Sequence, residues 1–188
     1  MMTKARTRRE DRPEIILDAA ERLIRRSGAR TLTIDAVAAE ATLSKGGVLH
    51  HYASKDALIS ALAARKLKEI RANIAAREAE QPPGPAAIPL ALIAHVRAVY
   101  AEEDGFPRAL CLASAENPEA SAGFSELLSE QFAAMEAIAG RPGAGTVLNL
   151  AALGLLLSRM LGFHNLEGAE LARTFEALEA AARALPEA

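Results

Sequence analysis

The sequence has no tryptophan, two tyrosines, five phenylalanines and one cysteine among its 188 residues. A lone thiol excludes an internal disulfide framework and fits a reducing compartment. The N-terminal residues MMTKARTRRED contain no apolar stretch, so a secretory signal is not expected and a cytoplasmic location is. Long hydrophobic runs are also missing. The most apolar one, residues 147–163, is interrupted by Asn149, Ser158 and Arg159 and is short for a bilayer span, which predicts a buried helix and no membrane partner. No alternating pattern supports a strand, and there is no repeat or low-complexity tract.

What is present favours helix. Hydrophobic residues make up 51% of the chain, most of them Ala and Leu, the strongest helix formers. The formal net charge of -2 conceals an asymmetry. Residues 1–68 carry 14 Lys/Arg against 8 Asp/Glu, a net of +6; residues 69–188 carry 8 against 16, a net of -8. A basic head on an acidic body points to a polyanionic partner for the head. Lys4, Arg6, Arg8, Arg9 and Arg12 supply much of this charge ahead of the first helix, although a basic tail can also serve only solubility.

Breakers and caps divide the chain. Pro13 and Glu14 open a helix whose Ile16, Ala19, Ala20 and Leu23 share a face, and Gly28 stops it. Thr33 caps a second helix through Ile34, Val37, Ala38 and Ala41. After the turn Ala41-Thr42-Leu43, Ser44 caps a third, and Ser54 caps a long fourth that runs to about Ala79. The stretch Gln81-Pro82-Pro83-Gly84-Pro85 breaks helix outright. Helices follow at about 86–103, through Cys111, and at about 120–139, 146–163 and 167–185. The expected organisation is a head over residues 1–60 and a body over 61–188.

The segment Ser44 to Leu58, SKGGVLHHYASKDAL, is poor in helix-stabilising residues and rich in groups that make contacts. Gly46 and Gly47 cost about 1 kcal/mol each relative to Ala in a helix. In return they leave the backbone free to approach something bulky. Capped helix, short turn and second capped helix form a helix-turn-helix, whose second helix enters a DNA major groove with its N-terminal residues nearest the bases. The adjacent His50 and His51 point about a hundred degrees apart on a helix and make a poor chelate, so no metal is expected.

Thr33-Ile34-Asp35-Ala36-Val37-Ala38, then Ser44-Lys45-Gly46-Gly47-Val48-Leu49-His50-His51-Tyr52, then Ser54-Lys55-Asp56-Ala57-Leu58, resembles the DNA-binding head of the tetracycline-repressor (TetR) family of bacterial transcription regulators. The resemblance covers about residues 12–60 without a gap. It implies an all-α homodimer: an N-terminal three-helix helix-turn-helix head that binds a double-stranded operator, and a C-terminal helical body that binds a small-molecule effector and dimerises. It also implies that Thr33 and Ser44 contact phosphates and that Lys45, Gly46, Gly47, Leu49 and His50 face the groove. His51 and Tyr52 would approach the DNA backbone, and Lys55 would hold a phosphate. Tyr52 could equally pack the three helices together, and Lys55 could be a solvated lysine. The chain departs from the family pattern at Gly47, Leu49 and Ala53, where a hydroxyl residue, an aromatic and a proline are common.

The body shows no acid/base pair or nucleophile at useful spacing, so an enzyme is not expected, although a helical substrate-binding body stays the alternative, as does a DNA binder without a sensor. Cys111 reads as a small buried hydrophobe, and Gly143-Ala144-Gly145-Thr146 as a turn before a helix rather than a phosphate loop, since it lacks a lysine. No cofactor is expected. By the resemblance, polar residues on the apolar body helices are the effector-pocket candidates: His95, Arg97, Tyr100, Glu116, Asn149, Arg159 and His164. Leu148, Leu155, Met160 and Phe163, with Leu171, Phe175 and Leu178 on the last helix, form the expected dimer surface, because a helix apolar nearly all round needs cover beyond its own chain.

Overall fold

The structure, a computed structural model, describes residues 12–102, 105–138 and 140–185; Lys4, Arg6, Arg8 and Arg9 of the basic tail lie outside them. The helices are α1 (Arg12–Ser27), α2 (Ile34–Glu40), α3 (Lys45–Leu49), α4 (Lys55–Ala79), α5 (Ala87–Ala101), α6 (Phe106–Ala115), α7 (Pro118–Ala137), α8 (Ala144–Leu161) and α9 (Gly168–Arg183). No strand occurs among the described residues. One short element escaped the sequence reading, a 3-10 turn at Ala29–Thr31. It follows Gly28 at φ 78 and is closed by the Thr31 hydroxyl donating to the Gly28 carbonyl at 2.8 Å.

The chain forms two compact units: residues 1–65 with 104–121, and residues 66–103 with 122–188. The division falls inside α4. It also gives α6 to the first unit, whereas the sequence reading assigns that segment to the body. The reason is burial. Phe106 and Leu110 are buried in α6, and the Arg25 guanidinium of α1 lies 4.6 Å from the Phe106 ring centre.

In the first unit α1 buries Ile16, Leu17, Ala19, Ala20, Leu23 and Ile24, α2 buries Val37 and Ala38, and α3 buries Val48. Arg65 on α4 clamps α1 by donating to Asp18 and Glu21 at 2.7 Å each and to Glu14 at 3.3 Å. Burial works against its charge, but the carboxylates outweigh it and hold the guanidinium above its usual pKa. Asn117, 5% exposed, ties three segments together. Its amide donates to the Asp56 carbonyl at 3.0 Å, while its Oδ1 accepts from the Ala120 N–H at 3.0 Å and the Ser60 hydroxyl at 3.1 Å.

The second unit packs α5, α8 and α9 around Leu92, Ile93, Val96, Tyr100, Met135, Leu148, Ala152 and Phe175. Gly145 sets the closeness of α8 to α7: a Cβ there would stand 2.0 Å from the Met135 carbonyl oxygen. The Gly143–Thr146 turn is held by the chain's own acid, as Glu136 accepts from the Gly143 N–H at 2.7 Å and the Thr146 hydroxyl at 3.0 Å.

Two expectations need correction here. Residues 147–163 are not a buried helix, since Val147, Leu150 and Phe163 are 66%, 53% and 80% exposed. By length and composition α8 is also the one helix among the described residues apolar enough to cross a membrane, although its other face packs into the core. The expected dimer stripe is also redistributed. Leu148 and Phe175 lie inside the unit's own core, and Leu155, Leu171 and Leu178 pack against it. A helix apolar all round has two apolar faces, and sequence period alone cannot say which one the chain itself covers.

Candidate nucleic-acid interface

The helix-turn-helix is assembled from local hydrogen bonds. Thr33, at φ -137 and ψ 157, accepts the Ala36 N–H on its hydroxyl at 3.1 Å and starts α2. The turn passes through Thr42, the one non-glycine residue with positive φ (57) among the described residues, and the Leu43 N–H donates to the Ala38 carbonyl at 2.9 Å. Ser44 then accepts the Gly47 N–H at 3.0 Å and starts α3. Ser54 accepts the Ala57 N–H at 3.0 Å and starts α4. The sequence reading placed all three caps at these residues.

With Val48 fully buried, α3 is fixed in rotation and its opposite edge faces out. Ser44, Lys45, Gly46, Leu49 and His50 are exposed on that edge; Gly47 and His51 are partly so. Leu49 is 39% exposed, and the His50 and His51 rings stand edge to face with centres 5.1 Å apart. No group of three or more metal-ligating side chains occurs among the described residues. The head's own packing does not demand Gly46, whereas Gly47 stands close to the cap. A Cβ on Gly46 would meet nothing within 4 Å, and one on Gly47 would meet only the Ser44 hydroxyl oxygen at 3.2 Å and Leu43 Cβ at 4.0 Å.

Three expected contact residues already have partners within the chain. The Lys45 ammonium sits 3.0 Å from the Asp35 carboxylate, with both side chains mostly exposed. Asp35 is the residue that the sequence reading overlooked; its signal was an acid in the first turn of α2, ten positions before the basic start of α3. Tyr52 is half-buried, its hydroxyl 3.5 Å from the Pro13 carbonyl, and burial followed by the Glu14 charge raises its pKa. The packing role considered for Tyr52 is therefore the one the fold displays. Lys55 is neither free nor simply solvated, because its ammonium donates to the Ala29 carbonyl at 3.2 Å.

The body candidates separate. Tyr100 is 1% exposed, and its hydroxyl accepts the Leu166 N–H at 2.8 Å beside the Leu166 carbonyl at 3.1 Å, a structural role. Arg159 lies 4.5 Å over the Tyr100 ring and donates to the Glu102 carbonyl at 3.3 Å. Arg97 pairs with Glu179 at 2.5 Å and lies over Phe175. His164 is exposed, and Glu116 stands in the first unit, where α6 carries it. His95 and Asn149 are the two polar candidates buried in the second unit beside the tied-down Tyr100. Asn149 is 1% exposed, and its amide nitrogen has no hydrogen-bond partner. His95 is 7% exposed; burial, then the charges of Arg77 and Lys66, push its pKa down to about 4 and keep it neutral. Arg77, whose buried Nε also lacks a partner, is a third member that the sequence reading did not single out.

Helix-turn-helix head and helical body define a class of DNA-binding regulator, and the comparisons give its family. The family model for bacterial regulatory proteins of the tetR family matches residues 16–62, and that for the tetracyclin repressor-like C-terminal domain matches residues 90–183. The chain belongs to the TetR family of bacterial regulators. Among solved structures, it is similar to the multidrug binding protein EbrR complexed with imidazole, with a TM-score of 0.71 and 23% identity over 100% of this chain and 99% of that one. A TetR-family member from Streptomyces coelicolor A3 has a TM-score of 0.69 and 22% identity over 94% and 99%. SmeT, solved as a triclosan complex, has a TM-score of 0.66 and 17% identity over 90% of each chain. At these identities the likeness concerns the fold. No curated protein matches the chain at a significant level.

Proposed function

We propose that this chain is a ligand-responsive transcriptional repressor of the cytoplasm, which binds a palindromic operator as a homodimer and is released by a small-molecule effector. The observation that carries the DNA half is the outward edge of α3. Its side chains are small or polar from Ser44 to Gly47, its cap is formed, and Gly46 answers to no contact inside the head. Removing side chains there makes physical sense if the backbone meets a groove wall. Thr33, Ser44, Lys45, Gly46, Gly47, Leu49, His50, His51, Tyr52 and Lys55 are the residues assigned to DNA.

The effector half is supported by EbrR and SmeT, whose structures hold imidazole and triclosan, and by two buried polar groups of the second unit, His95 and Asn149, of which the Asn149 amide nitrogen has no hydrogen-bond partner. An unmade hydrogen bond on a buried donor costs about 1–3 kcal/mol, so a ligand that supplies acceptors there gains it back. The dimer half is supported by the exposed stripe Val147, Leu150 and Gly154 on α8. Two recognition helices related by a two-fold axis would lie about 34–36 Å apart, or a multiple of that, on one face of the duplex.

The test is selection of bound genomic fragments followed by titration with salt. Specific binding should weaken steeply as salt rises, since phosphate contacts release counterions. Gly47→Glu, which places a carboxylate against the phosphates, should abolish specific binding while the protein stays folded and dimeric. Undiminished affinity in that variant would show that α3 does not face DNA.

A further inference from the structure

The first unit contains a cavity of about 600 Å³ of which the operator reading uses Lys55 alone. It is walled by the 3-10 turn, the first turns of α4 and one face of α6. Ile59, Ala109, Leu112 and Ala113 make an apolar side, and Leu112 is 47% exposed. Arg30, Lys55 and Arg108 make a cationic side. Asp56 and Glu116 also border it, yet no ion pair within 4.0 Å joins any of these five groups to a described residue. Elsewhere in the same unit arginines find acids: Arg22 and Arg26 pair with Glu40, and Arg65 with three carboxylates. Arg108 has no such partner among the described residues, and among them Lys55 reaches only a carbonyl.

The frame of this cavity is rigid on one side. Asn117, itself a wall residue, is locked to the Asp56 carbonyl, Ser60 and the Ala120 N–H. A lining that holds three cations, two acids and an apolar strip does not suit a purely hydrophobic guest. Among the described lining residues three cations face two acids, which favours an anion, and the apolar strip favours a carbon skeleton behind it.

We propose that this cavity is a binding site for a small organic anion, with the Arg108 guanidinium and the Lys55 ammonium taking its charged head and Ile59 and Leu112 its apolar part. All of its lining residues belong to the first unit, whereas the effector reading concerns the second. Its consequence for DNA rests on the operator reading: one ammonium, that of Lys55, would be claimed by both the anion and an operator phosphate, so the two ligands oppose each other.

The experiment uses the full chain and benzoate, with benzamide as the neutral isostere, inorganic phosphate as the bare anion, and ionic strength held constant. Benzoate should raise Tm in a saturable way and benzamide should not. In Arg108→Ala the benzoate affinity should fall about ten- to hundredfold, the range for losing a charged hydrogen bond. Arg173→Ala, at an exposed position of the second unit, should leave it unchanged. Operator affinity should fall in benzoate for the wild type and not for Arg108→Ala. A response to phosphate equal to that to benzoate would remove the apolar subsite. The proposal is overturned if neither anion shifts Tm, if the shift survives Arg108→Ala, or if Arg108→Ala weakens operator binding without any anion, which would make the cavity part of the DNA surface. Failure of the wild type to bind any operator, with the benzoate shift intact, would remove the operator reading and leave the cavity.

Discussion

At the scale of single residues, His95 carries the clearest consequence. Its folded pKa of about 4 lies below the ordinary 6.5, so between these values the unfolded chain holds more protons than the folded one. Stability must therefore fall as pH drops from about 6.5 towards 4, by a sum on the order of 3 kcal/mol when complete. Urea unfolding of the wild type between pH 7 and pH 4.5 should show this slope, and His95→Gln should flatten it. Glu40, held below the usual carboxylate range by hydrogen bonds from Arg26 and Arg22, and Glu136, held there by the Gly143 N–H and Thr146, lose their contribution only at lower pH. The two regimes are separable. Asn117 makes a second residue-scale case. Asn117→Ala removes three hydrogen bonds at a site 5% exposed, and Tm should report a loss of about 2–4 kcal/mol.

At the scale of elements, α3 trades stability for access. Gly46→Ala adds a methyl group that meets nothing within 4 Å and improves helix propensity. It should stabilise the fold by about 0.5–1 kcal/mol. The same change should lower operator affinity about tenfold or more, equivalent to about 1.4 kcal/mol, if the methyl stands on the edge proposed to face DNA. A gain in Tm together with a loss in fluorescence anisotropy is the expected pairing; unchanged anisotropy would mean that Gly46 does not approach DNA. At the α7–α8 approach the logic reverses. Gly145→Ala sets a Cβ against the Met135 carbonyl at 2.0 Å, a backbone atom that cannot swing aside, so helical content should melt at lower temperature. One glycine is empty for a partner and the other is empty for the chain.

At the scale of the whole molecule, the two faces of α8 separate folding from assembly. Leu150 is 53% exposed, and Leu155 packs against the core. Leu150→Arg should yield a folded monomer by sedimentation, with helical signal retained. Leu155→Arg should lower stability itself, whatever the oligomeric state. The contrast tests the dimer without relying on one variant. It also sharpens the sequence reading, in which Leu148, Leu155, Phe163 and Phe175 shared one interface. Periodicity marked all of them as apolar and could not assign a side. Phe175, 2% exposed, and Phe163, 80% exposed, have the same side chain and opposite surroundings.

What the sequence determined by itself is everything that rests on neighbours within one helical turn. Thr33, Ser44 and Ser54 cap helices because their hydroxyls reach an N–H three residues on. Gly28 ends a helix and Pro82–Pro85 forbids one for equally local reasons, so helix order and the helix-turn-helix were legible. The tertiary structure alone decided that α6 joins the first unit, that Lys55 turns to the Ala29 carbonyl, that Lys45 meets Asp35, and that Glu116 borders a cavity of the first unit. Each depends on residues distant along the chain, whose meeting is set by which apolar face finds cover. A hydrogen bond across one turn is written into residue order; a contact between helices is settled only when the whole chain competes for the same buried space.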